Sequence, residues 1–185
     1  DLAALRCYVG VSAGALLAAC LANGMSPQLL VRIIHGDAAG EEPFEPEIFF
    51  APNYREFVRR GVSLPRLLAQ ALWYFTGPRG DRSVLASLSR TARALPLGLF
   101  DNEPIRRHLT RVFSRPGRTD DFRQLSTTLD VVASDLETGQ ALRFGPPPHA
   151  HVPISRAVQA STALPGLYPP ETIDGRLCAD GVLLK

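Results

Sequence analysis

The pentapeptide Gly10-Val11-Ser12-Ala13-Gly14 constrains this chain more than any other feature, because of what flanks it. Before it, Leu5-Arg6-Cys7-Tyr8-Val9 predicts a short strand. After it, Ala15-Leu16-Leu17-Ala18-Ala19-Cys20-Leu21-Ala22 predicts a helix with no polar face, buried on all sides, with Asn23-Gly24 as its stop. A serine on a sharp strand-to-helix turn has a strained backbone and an exposed hydroxyl. The start of the helix turns free N–H groups and a positive dipole end toward any oxyanion that forms there. Ser12 is therefore the candidate nucleophile, on an elbow formed with Gly10, Ala13 and Gly14, and the Ala13 N–H is a candidate oxyanion donor. The two glycines are expected to be small because strand and helix pass close together. A G-x-S-x-G string arises by chance on the order of 0.1 times in such a chain, so its context carries the reading.

A serine nucleophile needs a base, and two sets of residues compete for the role. The chain order Ser, Asp, His of α/β-hydrolases offers Ser12, Asp135 and either His149 or His151. Against it, an α/β-hydrolase elbow follows several strands, whereas few residues precede this one. Both histidines also flank a Pro-rich loop, where a solvated imidazole is the ordinary expectation. The other candidate is Asp180, in Ala179-Asp180-Gly181. Asp-Gly is a common turn dipeptide, and Asp174-Gly175 fits that role in a tight hairpin over 172–177. Asp180 instead follows a strand end, where α/β sites collect their residues, and a carboxylate can serve as the base directly.

The rest of the chain alternates helices and strands, which indicates an α/β domain. Ser26-Pro27 opens a second helix carrying Leu29, Leu30, Ile33 and Ile34, ended by Gly36. Residues 37–63 read as irregular, with a short helix near 54–60. Ser63 caps a helix with Leu64, Leu67, Leu68, Ala71, Leu72 and Phe75 on one stripe and Trp73 and Tyr74 off it. A loop covers 77–82 and a helix 83–93. Asp101-Asn102 starts another helix, with Ile105, Leu109, Val112 and Phe113 inward and Arg106, Arg107 and Arg111 outward. Strands are predicted over 128–133 and 141–144, joined by a turn at 135–139, and a helix runs from near Pro153 to before Pro165. The helical stretch 26–113 is expected to cover the mouth of the site.

Composition removes several classes of protein. A chain of 185 residues, 45% hydrophobic and 21% charged, suits one globular domain with a real core and excludes a disordered, collagen-like or disulfide-stapled chain. A net charge of +2 gives no ground for a nucleic-acid surface, and the preference for Arg over Lys, with Lys185 alone in the second class, reads as codon bias. Cys7, Cys20 and Cys178 form no C-x-x-C pair, so neither a zinc site nor a disulfide framework is expected, and nothing calls for a metal or cofactor. Cys20 reads as a small core residue. No apolar run reaches the ~18 residues of a membrane helix. The chain starts at Asp1 with no signal-peptide pattern, and the expectation is a fragment.

The motifs together resemble the patatin-like phospholipases. Residues 10–14 match that family's G-x-S-x-G elbow, and Asp180-Gly181-Val182 is similar to its Asp-Gly-Gly or Asp-Gly-Ala motif, with Val182 departing at the third place. The segment 157–170 and the turn Ser134-Asp135-Leu136-Glu137-Thr138-Gly139 resemble family segments too, so the likeness spans nearly the whole chain. The resemblance implies an acyl hydrolase domain over 1–185, built as a three-layer α/β sandwich with a central, mostly parallel sheet flanked by helices. It implies a Ser–Asp dyad without histidine, carried here by Ser12 and Asp180, that hydrolyses acyl esters of lipids or phospholipids. A lipid substrate makes peripheral membrane contact an expectation, and the compartment stays open, with a cytoplasmic or membrane-peripheral one favoured. The family's Gly-rich oxyanion loop lies upstream of the elbow, so the parent sequence is expected to extend upstream by roughly 30 residues or more. Phe44, Phe49, Phe50, Tyr54, Phe57, Trp73, Tyr74 and Phe75 are candidates for an acyl groove or a bilayer contact, with ordinary core as the alternative. A binding protein that has lost activity and an adhesion role for Arg79-Gly80-Asp81 are the competing classes.

Overall fold

In the computed structural model the described residues are 5–54 and 98–183. Strand β1, Cys7–Val11, buries Tyr8 and Gly10 on one face and leaves Cys7, Val9 and Val11 exposed on the other. Helix α1, Ala13–Ala22, follows after a single residue and packs back on the strand. A Cβ on Gly10 would fall 2.5 Å from the Ala15 Cα and 2.8 Å from the Ala15 nitrogen, so only glycine permits this approach. Alanines make up most of the covered face: Ala15, Ala18, Ala19, Cys20 and Ala22 are buried. Burial on all sides, expected from the lack of polar residues, is not what forms. Leu17 is 49% exposed, because that side of α1 lines an open cleft instead of core.

Helix α2, Pro27–His35, follows the local rules. The Ser26 hydroxyl accepts from the Leu29 N–H at 3.2 Å, Pro27 occupies the first turn, and Gly36 ends the helix at φ 78°. Within the stretch read as irregular, Pro46–Phe49 forms a single 3-10 turn. Helix α3, Glu103–Phe113, buries Ile105, Leu109, Val112 and Phe113 as its periodicity requires. Its arginines face outward, and Arg106 and Arg107 hold the Glu103 carboxyl down at about 2. Arg111 pairs with Glu42 at 2.6 Å, tying the loop after α2 to α3.

Among the described residues four more strands and one helix follow. Strand β2, Thr128–Asp135, runs two residues beyond its predicted end and is almost continuously buried. Strand β3, Ala141–Phe144, returns beside it, and β4 (Glu171–Ile173) and β5 (Arg176–Asp180) form the predicted hairpin. Asp174 and Gly175 take φ of 51° and 78°, the two positive values that a tight two-residue turn requires. Helix α4, Ile154–Ser161, packs on β2, β5, α1 and α3. Its cap comes from a distant residue: Asp120 accepts from the Ser155 N–H at 2.6 Å and the Ser155 hydroxyl at 2.7 Å.

The sheet is mixed. β1 and β2 pair in parallel, while β2–β3, β2–β5 and β4–β5 are antiparallel. β1, β2 and β4 therefore run in one direction and β3 and β5 in the other. Among the described residues three of the five strands share a direction, β1–β2 being the neighbouring parallel pair, so the sheet is the expected α/β one, mixed with mostly parallel strands and flanked by helices. Residues 131–132 of β2 pair with both β1 and β3, and residues 133–134 with both β5 and β3. A strand has two edges, so β1 and β5 must share one of them, end to end, opposite β3. No single described helix is long and apolar enough to cross a membrane. The predicted helices at 64–75 and 83–93, nearly all of that at 54–60, and Phe57, Trp73, Tyr74, Phe75 and Arg79-Gly80-Asp81 lie outside the described residues.

Candidate active site

The shared edge of β2 brings the two halves of the site together. Val11, the last residue of β1, lies opposite Val132, and Asp180, the last of β5, lies opposite Ala133. The two strands run toward each other and stop at adjacent rungs. Ser12 leaves the end of one strand and Asp180 ends the other, 168 residues apart in sequence. The Ser12 hydroxyl donates to Asp180 Oδ2 at 2.6 Å. A Cβ on Gly181 would fall 2.6 Å from the Val132 carbonyl oxygen and 2.8 Å from a Val11 methyl, so the glycine after Asp180 lets the strand ends close up. Gly14 differs from the expectation: a Cβ there would meet nothing within 4 Å, because the close approach is confined to Gly10.

Ser12 is held in an unfavourable conformation, φ 54° and ψ −131°, which costs a non-glycine residue about 1–3 kcal/mol. Its neighbours hold it there. The Ser12 N–H donates to Ser161 Oγ at 2.9 Å, and the fully buried Ser161 hydroxyl donates to the Val132 carbonyl at 2.6 Å. Ala13 is the first residue of α1, so its N–H has no intrahelical partner and is a donor at the elbow.

Asp180 is 2% exposed and fixed through both ends of its side chain and backbone. The Val182 N–H donates to Oδ1 at 2.9 Å, leaving Oδ2 for Ser12. The Asp180 carbonyl accepts from Ser134 Oγ at 2.8 Å, and its N–H donates to the Ala163 carbonyl at 3.0 Å. Val182 thus serves the site through its backbone, and its side chain is exposed. This explains how valine stands where a smaller residue is usual.

The alternative triad is not assembled. His149 and His151 both bond Asp174 in the hairpin turn, at 3.3 and 3.2 Å. Asp135 takes Arg176 at 3.0 Å and the N–H groups of Glu137 and Thr138. Sequence reasoning missed Ser161 and Ser134. Ser161 lies in the segment 157–170 that carries the family likeness, but nothing local marks one hydroxyl there as a support for the elbow.

Beside Ser12 and Asp180 opens a cleft of about 460 Å³, lined mainly by apolar side chains. Phe44 and Phe49 of the aromatic candidates line it, whereas Phe50 and Tyr54 do not and are exposed. Cys20 also lines it, with its thiol pushed up to about 12 by burial, so it is no competing nucleophile. Among the described residues no cluster of three or more His, Cys, Asp or Glu side chains suits a metal ion.

Comparison with known proteins gives three findings. A family model described as patatin-like phospholipase matches residues 2–185. Uncharacterized NTE family proteins of Mycobacterium bovis and Mycobacterium tuberculosis are 39% identical over 61 residues, a stretch that spans 33% of this chain and 16% of each relative. The crystal structure of VipD from Legionella pneumophila superposes with a TM-score of 0.45 and 18% identity, covering all of this chain and 41% of that one.

Proposed function

Because the chain belongs to the patatin-like phospholipase family, whose members hydrolyse lipid esters, we propose that it is a serine acyl-ester hydrolase working through a Ser12–Asp180 dyad. The observation that carries the reading is the 2.6 Å hydrogen bond from Ser12 Oγ to Asp180 Oδ2 beside an apolar cleft. An acyl chain seated in that cleft presents its carbonyl to Ser12. Oγ attacks the carbonyl carbon as its proton passes to Asp180 Oδ2. The oxyanion that forms meets the Ala13 N–H and the positive end of α1. Collapse breaks the ester bond, and the leaving alcohol takes the proton from Asp180. Water then attacks the acyl-Ser12 ester, gives a proton to Asp180, and the fatty acid leaves as Ser12 regains its hydrogen. The cleft's apolar lining supports lipid or phospholipid substrates, and their location in a bilayer supports peripheral membrane contact.

The test is hydrolysis of a chromogenic acyl ester together with labelling by a fluorophosphonate. Ser12→Ala and Asp180→Asn should each lower kcat by about 10³-fold or more, and the double variant should be no worse than either, because the pair acts as a unit. Labelling should vanish in Ser12→Ala. His149→Ala and His151→Ala should keep turnover within about twofold. Turnover retained in Ser12→Ala, or lost with either histidine while Asp180→Asn stays active, refutes the dyad.

A further inference from the structure

The oxygen-bearing side chains that line the cleft are already paired. Ser12 donates to Asp180 at 2.6 Å, Glu42 takes Arg111 at 2.6 Å, and Glu41 takes Arg118 at 2.7 Å. The Thr162 hydroxyl donates to the Val158 carbonyl at 3.0 Å, and the Tyr168 hydroxyl to the Phe49 carbonyl at 2.7 Å. His108 is the exception. It lines the same cleft, is 7% exposed, and makes no hydrogen bond with any described residue. Neither ring nitrogen is fully sealed, and the space on which this side chain opens is the cleft.

Its place in the wall follows from α3. Ile105, His108, Leu109 and Val112 follow the spacing i, i+3, i+4, i+7 and form one buried stripe of that helix. The other three members are apolar. Phe44 meets the imidazole with ring centroids 6.5 Å apart and planes at 78°, an aromatic contact that holds the ring in place. Burial pushes the His108 imidazole below its usual value; Glu42 and Glu45 oppose that shift and Arg111 adds to it, so the ring is neutral at pH 7. A neutral imidazole carries one donor and one acceptor.

Solvent in an unfilled cleft satisfies both groups. A plain alkyl chain that fills the cleft displaces that solvent and leaves the imidazole unpaired in an apolar wall, a loss of about tenfold in binding. A hydroxyl both donates and accepts, so one on the chain restores the bond with either tautomer of the ring. The surroundings limit the ligand to a single such group, because Phe44, Leu109 and Val112 offer no partner for the further oxygens of a glycerol or a phosphate. We infer that His108 is a specificity-determining residue that selects acyl chains bearing one hydroxyl, so that this site takes hydroxyacyl lipid esters. The inference rests on the acyl-hydrolase reading and names the acyl class for it.

The experiment measures kcat/KM for p-nitrophenyl decanoate and for its monohydroxy analogues, with the hydroxyl moved along the chain, in one fixed detergent composition. One hydroxyl position should exceed decanoate by about tenfold. His108→Phe keeps a ring and removes both nitrogens, so it should abolish that preference and raise the decanoate rate. His108→Gln restores a donor and an acceptor and should keep a preference of about threefold or more. If the unaltered protein prefers no hydroxyl position, the inference falls, so the test stands even where a variant fails to fold; a preference that survives His108→Phe overturns it too. A His108-dependent preference found only for 1-decanoylglycerol over propyl decanoate puts the hydroxyl on the alcohol and overturns the acyl assignment. Titration calorimetry of Ser12→Ala with decanoic acid and the same hydroxydecanoic acids reads the preference without turnover, and equal affinities there overturn the role of His108. A preference in that titration, with no hydrolysis and no fluorophosphonate labelling of the unaltered protein, keeps the hydroxyl site and overturns the hydrolase reading.

Discussion

Ser161→Ala is the most informative single change in the elbow, because Ser161 touches neither the cleft nor Asp180. Its oxygen accepts from the Ser12 N–H at 2.9 Å and donates to the Val132 carbonyl at 2.6 Å, and the residue is fully buried. Alanine keeps the backbone and helix propensity but leaves two backbone groups without these partners. Each such orphan costs about 1–2 kcal/mol, so the stability loss should be about 2–4 kcal/mol. That is a minor part of the 5–15 kcal/mol typical of a domain, so the variant stays folded, with a Tm lowered by roughly 5–15 °C. The larger consequence is local. Ser12 sits at φ 54°, and its N–H bond to Ser161 is one of the restraints that hold it there. Released, the elbow relaxes and Oγ leaves its bond to Asp180. The expected signature is a kcat lower by about tenfold or more with KM within twofold, since no cleft-lining residue has changed. Thermal unfolding and steady-state ester hydrolysis measure both parts. A Tm within 2 °C of the parent and an unchanged kcat would show that the elbow holds its strained form without Ser161.

Two further outcomes follow from the geometry. Gly181→Ala should destabilise by about 1–3 kcal/mol and impair turnover, because its Cβ would meet the Val132 carbonyl and Val11, whereas Gly14→Ala should be neutral or stabilising by up to about 1 kcal/mol in the same urea titration; equal effects refute the close-approach argument. The His149–Asp174–His151 clamp should be pH-dependent. Asp174 holds the His151 imidazole above its usual 6.5, so that contribution is complete below 6.5 and fades as pH rises through the raised value; the Asp174 carboxyl is held below 3.8, so its contribution fades as pH falls through the lowered value. The urea-midpoint gap between the parent and Asp174→Asn should therefore be widest near pH 5 and narrow toward pH 8.5 and pH 2, and a gap constant with pH contradicts the assignment.

The local features of this chain were legible in its residues. The strand–serine–helix order around Ser12, the Ser26-Pro27 helix start with Gly36 at its end, and the Asp174-Gly175 hairpin each depend on residues within a few positions of one another. Steric and hydrogen-bond preferences act at that range, so the sequence alone determines them. The inward stripe of α3 was legible for the same reason, since periodicity is a property of contiguous residues.

What joins distant residues was decided only by the tertiary structure. Asp180 stood out in the sequence through its place after a strand and its likeness to a family motif, but its hydrogen bond to Ser12 exists because β1 and β5 meet end to end on one edge of β2. No periodicity encodes that edge sharing. The same holds for Ser161 beneath the elbow, Asp120 capping α4 from 34 positions before Ile154, and Glu41 beside the cleft paired with Arg118. It also explains why α1, apolar all round, is not buried all round. Apolarity records what a face tolerates, and whether that face meets core or an open channel depends on what packs opposite it, which for Leu17 is the space beside the candidate nucleophile.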